Sequence, residues 1–377
     1  MIYIVSILFL FILLYIPKTD YYLPRWRVVC LLGVLCLSFL ISEKSSLTIG
    51  ILCAYIMGSS LFHWFDIDKT HPCTSQYVGL EFKMEDGKKM VTTVLSNWVY
   101  FREIANCYLF FSLCCAIFLT IPDGILFNMD ILAMLLLPIG IVTTVFYRHV
   151  PFIDKNHGAF VYGFGGNPSV NATLMANLSM FLFIDFERFM WLKIAILVCT
   201  FISILRTKAA AGVAALLAGV LTYVSIEVSY WIFLSASILA LPAFLFLKKS
   251  QFLSMSGREI IWNLTIKSLI KTRPLFGLGL GSFYYILPAV QIKNRIVPKG
   301  KGFTWAHNDF LQFIAEGGLI GGVILFFAIF DILSNSITNT AALSFFMCYF
   351  VNALINFPSH MAPDCLIATI WMRIIYQ

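Results

Sequence analysis

Long apolar runs separated by short polar stretches occupy most of this chain, and they limit the folds that it can adopt. A helix that spans a bilayer needs about 20 mostly apolar residues, and many runs here approach that length. Hydrophobic residues make up 60% of the chain and charged residues 12%, whereas a soluble domain carries about 25% charged residues. We therefore predict an all-α polytopic membrane protein with about 12 transmembrane helices.

The apolar runs define the predicted spans and the domain organisation. They lie near residues 1–16, 27–42, 47–65, 95–121, 131–147, 170–186, 190–206, 208–226, 230–247, 310–333, 337–356 and 362–376. The first run lacks a basic segment and a small-residue cleavage site, so it is predicted to be a span and not a signal peptide. Because no repeat or linker divides the chain, residues 1–377 are predicted to form a single membrane domain.

The longest polar stretch, residues 248–306, is strongly basic. It sets one acid, Glu259, against ten basic residues: Lys248, Lys249, Arg258, Lys267, Lys271, Arg273, Lys293, Arg295, Lys299 and Lys301. Such a field attracts a polyanion or anionic lipid headgroups. The alternative is a cytoplasmic loop that follows the positive-inside rule, and the count of spans places most other basic residues on the same side.

A cluster of polar residues opens the span at 310–333. Asp309, followed three residues later by Gln312, predicts an N-cap with a capping-box partner, so that His307 lies just outside the helix. A neutral histidine there can accept a proton from a hydroxyl; the alternative is a histidine that only anchors the helix at the interface. Asp309, Gln312 and Glu316 share one helix face, which we expect to point into the protein.

Glycines follow this cluster and also occur in an earlier segment. Two overlapping GxxxG patterns, Gly317/Gly321 and Gly318/Gly322, permit close helix packing. Residues 256–273 have the periodicity of an amphipathic helix that lies on the membrane surface and ends before Pro274. The GLGLG run that follows lacks the strand–turn–helix frame of a nucleotide site, so we predict a loop packed tightly against the membrane domain.

Other polar groups lie at the ends of spans. Arg206 and Lys208 occupy a tight hairpin, where an arginine could bind phosphate through two hydrogen bonds; alternatively, the two charges only mark helix ends. His360 is predicted to be an interfacial side chain. The ten cysteines are scattered through apolar runs without the spacing of metal ligands, so they are predicted to be small hydrophobic residues and not metal ligands. No cofactor is expected.

Several of these motifs together resemble the O-antigen ligase and O-antigen polymerase superfamily. Ligases of this group carry a histidine, a polar residue, nine further residues and GxxG, which here are His307, Asn308, residues 309–317 and Gly318 to Gly321. A second shared pattern is matched by Arg258, Trp262, Pro274, Phe276, Gly277, Gly279, Gly281 and Phe283, and a third by Arg206. The resemblance extends from about residue 167 to residue 358, and Lys208 departs from the small residues that follow the arginine in many members.

The resemblance implies an architecture and an activity. The expected fold is GT-C-like, with a large periplasmic loop, residues 248–306, between helices 9 and 10 in the bacterial inner membrane. The expected reaction transfers a glycan from undecaprenyl diphosphate to an acceptor hydroxyl, without a metal or a nucleotide sugar. The family orientation places the basic loop outside, against the positive-inside count, and a diphosphate substrate gives an independent reason for its charge.

The resemblance also implies roles for individual residues. His307 would orient or deprotonate the acceptor hydroxyl, and Glu316 would orient the histidine or only satisfy polar groups in the cavity. The diphosphate would be held by Arg206, Arg258 and Arg273, with Lys208 sharing that role. The partners would be the lipid-linked donor, the acceptor, the bilayer and optionally a chain-length regulator, but no nucleic acid.

Three other interpretations remain open at this stage. A ligase would use a lipid A core sugar as acceptor, whereas an O-antigen or capsule polymerase would use another lipid-linked repeat. A polysaccharide or lipid transporter would line its path with intramembrane charges, but the polar residues here cluster on one side of the membrane. A scaffold for an assembly complex would leave His307 dispensable.

Overall fold

A computed structural model describes a large part of the chain. The described residues are 48–52, 54–55, 81–85, 88–93, 128–145, 168–227, 229, 256–270, 273–277, 279, 283, 287, 305–360 and 362–376. The predicted spans near 1–16, 27–42, 95–121 and 230–247 lie outside these residues, as does most of the basic loop. The count of twelve helices and the loop therefore remain predictions.

The described chain is helical apart from one short hairpin. The elements are β1 (Glu81–Glu85), β2 (Lys88–Thr93), α1 (Met129–Val145), α2 (Pro168–Ser179), α3 (Met190–Arg206), α4 (Ala210–Glu227), α5 (Ser256–Leu264), α6 (Asp309–Ser336), α7 (Thr340–Ile355) and α8 (Ala362–Ile375). Strands β1 and β2 pair antiparallel. The strict all-α prediction is therefore wrong for these two strands; charged and apolar residues alternate in Glu81–Glu85, as a strand with one buried face requires, but not in Lys88–Thr93.

Two of the described helices are long and apolar enough to cross a bilayer, judged by length and composition. They are α4 and α6, and α1 and α7 are shorter apolar helices. The predicted span at 190–206 has the bounds of α3, and the predicted spans at 208–226, 337–356 and 362–376 fall within a few residues of α4, α7 and α8. Run length therefore locates these helices well.

Contacts between Cα atoms divide the chain into two compact units. The first comprises residues 1–23, 120–254 and 331–377, and the second comprises residues 24–119 and 255–330. Helices α1 to α4, α7 and α8 lie in the first unit. Helix α5 and the greater part of α6, which carries most of the predicted site, lie in the second.

Helix α2 forms the centre of the first unit. It contacts α1, α3, α4, α7 and α8, and its residues from Val170 to Ser179 are buried. The predicted span at 170–186 is shorter in the structure, because α2 ends at Ser179 and a 3₁₀ turn continues only to Phe183. Helix α2 is less hydrophobic than a typical span, because the polar residues Asn171, Thr173 and Asn177 occupy buried positions.

Side-chain hydrogen bonds join α2 to the two C-terminal helices. Thr173 Oγ1 donates to Asn352 Oδ1 of α7 at 3.2 Å and accepts from Asn356 Nδ2 at 2.8 Å. Asn177 Nδ2 donates to Asp364 Oδ1 of α8 at 2.6 Å. Polar groups buried in a membrane domain need such partners, because no solvent is available there to satisfy them.

A buried ion pair joins α1 to α3 in the same unit. Lys193 Nζ lies 2.8 Å from Asp130 Oδ2, and both side chains are fully buried. The ammonium also donates to the carbonyl oxygens of Ile184 and Asp185 at 2.9 and 2.7 Å. The two bonds to carbonyl oxygens fix the turn after α2. Removal of either charge would leave the other buried without its counterion, which is strongly destabilising.

The second unit has its own apolar core around the start of α6. Ile261 and Leu264 of α5 pack with Phe283, Leu287, Ala306 and Ala315. The apolar face of α5 is therefore covered by the chain around His307. Ile260, in contrast, is exposed, and the prediction that this helix lies on the membrane surface stays a prediction.

Candidate functional site

The polar cluster lies at the N-terminus of α6. Asn308, and not Asp309, caps this helix, since Asn308 Oδ1 accepts from Leu311 N at 2.8 Å. The predicted cap was therefore wrong by one residue, because asparagine and aspartate cap equally well and only their backbone conformation distinguishes them. Asp309 occupies the first turn, where its negative charge is favourable beside the positive end of the helix dipole.

His307 immediately precedes the cap and has an uncommon backbone conformation. Its φ angle is +53°, a left-handed region that histidine enters more often than most residues but still seldom. The side chain is half-buried. His307 lies between the buried residues Trp305 and Ala306 and the start of the helix, so its strain has to be balanced by contacts on either side.

Two side chains hold the peptide groups of Ala306, the residue before His307. Trp262 Nε1 of α5 donates to Ala306 O at 2.8 Å. Gln312 Oε1, one turn into α6, accepts from Ala306 N at 3.2 Å. Both polar backbone atoms of a fully buried residue are thereby satisfied, and α5 is tied to the start of α6.

The predicted polar stripe on α6 faces the protein. The exposed fractions of Asp309, Gln312 and Glu316 are 7%, 0% and 2%. Helical spacing of three and four residues aligns them on one face, and the apolar side chains of Leu319, Val323 and Phe326 beyond the stripe are exposed. The prediction that the stripe points inward is confirmed.

Glu316 binds the glycine-rich turn that follows Pro274. Its carboxylate oxygen Oε1 accepts from Phe283 N at 3.0 Å, and its carbonyl oxygen accepts from Gly279 N at 2.8 Å. A buried carboxylate that accepts a backbone N–H forms a strong, charge-assisted hydrogen bond. Of the two roles predicted for Glu316, this contact favours the stabilisation of polar groups.

Helix α6 is kinked at Gly318. The φ and ψ angles there are +66° and −170°, a combination that is essentially confined to glycine. The break frees backbone N–H groups that a straight helix would use, and the turn after α5 accepts them: Leu319 N donates to Pro274 O at 2.8 Å, and Ile320 N donates to Leu275 O at 3.2 Å. Irregular backbone in a membrane protein needs such partners.

Gly277 and Gly318 lie against each other where these two segments meet. A Cβ atom at Gly318 would lie 2.2 Å from Leu275 O, and one at Gly277 would lie 2.3 Å from Glu316 O. Neither position can therefore accommodate a side chain without movement of the backbone. We call this contact between residues 274–279 and 316–320 the glycine latch. Within the GLGLG run, Gly277 and Gly279 pack closely against α6, as the prediction of a tightly packed loop requires.

The GxxxG patterns also permit the close approach that was predicted for them. Tyr55 OH donates to Gly317 O, and a Cβ atom at Gly321 would lie 2.8 Å from the Tyr55 ring. Tyr55 was not identified from the sequence, because a tyrosine in an apolar run carries no signal of its partner.

The arginines predicted to bind diphosphate occupy different elements. Arg258 lies on α5 one turn before Trp262, and burial lowers the pKa of its guanidinium, which nonetheless stays charged at neutral pH. Arg273 is half-buried at the start of the glycine latch, where its carbonyl oxygen accepts from Gly277 N at 3.0 Å. The latch and the Trp262 bond thus connect Arg258, Arg273, His307 and Glu316 within the second unit.

Arg206 and Lys208 belong to the first unit and are exposed. Arg206 ends α3, and Lys208 has a φ angle of +57° in the hairpin to α4. Thr207 stabilises this hairpin, because its Oγ1 donates to Ile204 O and accepts from Ala209 N. The hairpin is confirmed, and a shared phosphate site with the residues of the second unit remains a prediction.

The comparison with protein families matches the segment that contains the predicted site residues. The family model described as O-antigen ligase matches residues 173–326, which include the six predicted site residues but less than half of the chain. The resemblance to the O-antigen ligase superfamily is confirmed, and together with the apolar helices it indicates a membrane protein with a ligase-like role in glycan transfer. No curated protein matches the chain significantly.

Proposed function

We propose that this chain, whose residues 173–326 carry the O-antigen ligase match, transfers a glycan from undecaprenyl diphosphate to a hydroxyl of the lipid A core. The observation that carries the proposal is the anchoring of His307. This histidine is held in a left-handed turn beside the cap of α6, and Trp262 ties it to the helix that bears Arg258. The proposed base, His307, and a proposed phosphate ligand, Arg258, are therefore linked through the Trp262–Ala306 hydrogen bond inside the matched segment.

The reaction requires one bond to form and one to break at the anomeric carbon of the donor sugar. The acceptor oxygen bonds to that carbon while the bond to the diphosphate oxygen breaks, and undecaprenyl diphosphate leaves with the bonding electrons. His307 takes the proton of the acceptor hydroxyl, a contribution of about 10²–10⁴-fold in typical enzymes. The reaction needs no redox step, so its atoms and charges balance without a cofactor.

The arginines supply electrostatic stabilisation. Negative charge grows on the diphosphate as the glycosidic bond breaks, and guanidinium groups can bind phosphate oxygens in pairs. Arg258 and Arg273 are the proposed ligands in the second unit, and Arg206 and Lys208 are the proposed contribution of the α3–α4 hairpin. Arg206 and Lys208 are exposed, so their charged groups are accessible to a lipid-linked substrate, whereas Arg258 and Arg273 are half-buried.

The proposed location of the reaction is the periplasmic face of the bacterial inner membrane. The donor is too polar at its glycan end to react within the bilayer, and the basic stretch 248–306 offers charge that attracts a diphosphate. A polymerase, which would use another lipid-linked repeat as acceptor, shares every one of these requirements. The two functions therefore differ in the product that accumulates when the enzyme is inactive.

Replacement of His307 by alanine tests the catalytic role. In a strain that lacks the gene, the His307→Ala chain should fail to restore surface glycan because the acceptor proton then has no base. A matched control is His360→Ala, since His360 is predicted only to lie at the interface. Surface glycan is compared by gel electrophoresis at equal protein levels in the membrane. Wild-type glycan from the His307→Ala chain would refute the catalytic role.

A further inference from the structure

Both peptide groups of Ala306 are bound by side chains that the proposed chemistry does not use. Trp262 Nε1 binds the carbonyl oxygen and Gln312 Oε1 binds the amide. Ala306 is fully buried, and so is the side chain of Gln312. A buried peptide group that loses its partner is costly, so these two bonds define the position of the chain immediately before His307.

The conformation of His307 depends on that position. A left-handed residue immediately before a helix cap persists only where its neighbours determine its conformation. On its C-terminal side, Asn308 is fixed by its bond to Leu311 N. On its N-terminal side, Ala306 is fixed by its hydrogen bonds to the indole of Trp262 and the side-chain amide of Gln312.

We propose that Trp262 and Gln312 are positioning residues for His307. Together they fix Ala306 and so aim the imidazole, and Trp262 also sets the distance between His307 and the helix that carries Arg258. Neither residue needs to touch the substrate. The inference deepens the proposed function and rests on it for its effect on glycan transfer, whereas its effect on the imidazole is independent of the reaction.

Two variants remove one bond each, and two controls match them. Trp262→Phe keeps an aromatic ring but has no N–H to donate. Gln312→Met keeps a similar length but has no amide oxygen, whereas Gln312→Glu retains an oxygen that can accept from Ala306 N. Trp191→Phe is the control for a tryptophan replacement, since Trp191 lies on α3 with 77% of its side chain exposed.

The first measurement follows His307 itself. The purified full chain in lipid nanodiscs is treated with diethyl pyrocarbonate, which acylates neutral imidazole, and the modification of His307 is quantified by peptide mass spectrometry. Release of the half-buried side chain should make acylation faster, by about fivefold for the loss of one net hydrogen bond. Gln312→Glu and Trp191→Phe should react at the wild-type rate.

The second measurement is surface glycan in the strain that lacks the gene. Trp262→Phe and Gln312→Met should reduce it, because a small misplacement of a catalytic group costs up to about 10²-fold in rate, and Gln312→Glu should restore it. Wild-type acylation in both variants would overturn the inference. Where His307→Ala abolishes glycan, a change in acylation or in glycan without the other would overturn it as well. If either Trp262→Phe or Gln312→Met fails to fold, the result for the other variant tests the inference.

The outcome for His307→Ala separates this inference from the proposed function. Should that variant make normal glycan, the proposed function fails, while faster acylation in Trp262→Phe would still support the fixed position of His307. Should His307→Ala abolish glycan and Trp262→Phe leave both measurements unchanged, only the positioning role fails.

Discussion

At the scale of single residues, Glu316 binds the glycine-rich turn through its side chain and its backbone. The carboxylate accepts from Phe283 N, and the carbonyl oxygen accepts from Gly279 N. An acceptor at this position is therefore needed for the turn, whereas the negative charge is needed only if Glu316 also acts on His307 or on substrate. The two roles can be separated by substitution.

We predict that Glu316→Gln retains most of the surface glycan and that Glu316→Leu loses it. Glutamine still offers an oxygen to Phe283 N, whereas leucine leaves this buried amide unsatisfied at a cost of about 1–3 kcal/mol. The measurements are the melting temperature of the purified chain and the surface glycan. Equal loss of glycan in both variants, with Glu316→Gln as stable as the wild type, would show that the charge itself takes part in the reaction.

Properties of single residues could be predicted where the spacing of residues along the sequence determines them. The burial of Asp309, Gln312 and Glu316 follows from their spacing on a helix that carries apolar neighbours. The cap at Asn308 does not follow, because adjacent Asn and Asp offer equivalent acceptors. The bond between Trp262 and Ala306 joins residues 44 positions apart, and no local signal in the sequence records such a contact.

At the scale of elements, the kink in α6 depends on two glycines from different segments. Gly318 supplies a conformation that other residues avoid, and Gly277 lets the preceding turn approach the freed backbone groups. The kink and the turn stabilise each other, since each satisfies polar atoms of the other. Loss of either glycine should therefore separate Arg273 from the helix that begins beside His307.

We predict that Gly318→Ala lowers the melting temperature and abolishes surface glycan. Alanine at this φ and ψ costs about 1–3 kcal/mol, and its Cβ would in addition lie 2.2 Å from Leu275 O. Gly322→Ala is the matched control, since among the described residues its Cβ would meet the Ile314 side chain alone, at 3.3 Å or more. Wild-type stability and glycan in Gly318→Ala would contradict the latch.

Element bounds were predictable where apolar length alone sets them, as in α3 and α7. The end of α2 was not, because the apolar run continues through Met180–Phe183, which form a 3₁₀ turn and not a continuation of the α-helix. The kink in α6 was also missed, since a Gly-Gly pair inside an apolar run suits helix packing as well as a break.

At the scale of the whole molecule, the orientation of the basic stretch decides whether the site can meet its substrates. The positive-inside rule places residues 248–306 in the cytoplasm, whereas the proposed reaction requires them outside. The rule describes the average effect of charge on insertion, so a stretch that binds a diphosphate can depart from it. The sequence predicts the number of spans and their orientation only approximately. Both depend on the lengths of whole apolar runs, and no single residue marks where a run begins or ends.

We predict that a cysteine at position 294 is labelled from the periplasmic side. The variant Asn294→Cys, in a chain whose native cysteines are replaced, should react with a membrane-impermeant maleimide in intact spheroplasts. The control Ser45→Cys lies in a loop that the span count places on the opposite side, so it should react only after the membrane is opened. Labelling of position 294 only from the cytoplasm would contradict the proposed orientation.

The undecaprenyl-linked glycan of cells that carry His307→Ala tests the central claim most directly. Lipids are extracted from the strain that lacks the gene, supplied with either the wild-type or the variant chain, and the length of the lipid-linked glycan is measured. The account predicts long undecaprenyl-linked polymer and no surface glycan with the variant, because the final transfer to the core hydroxyl has lost its base. Single repeats joined to the core would instead indicate a polymerase, and wild-type surface glycan without any lipid-linked accumulation would contradict the role of His307.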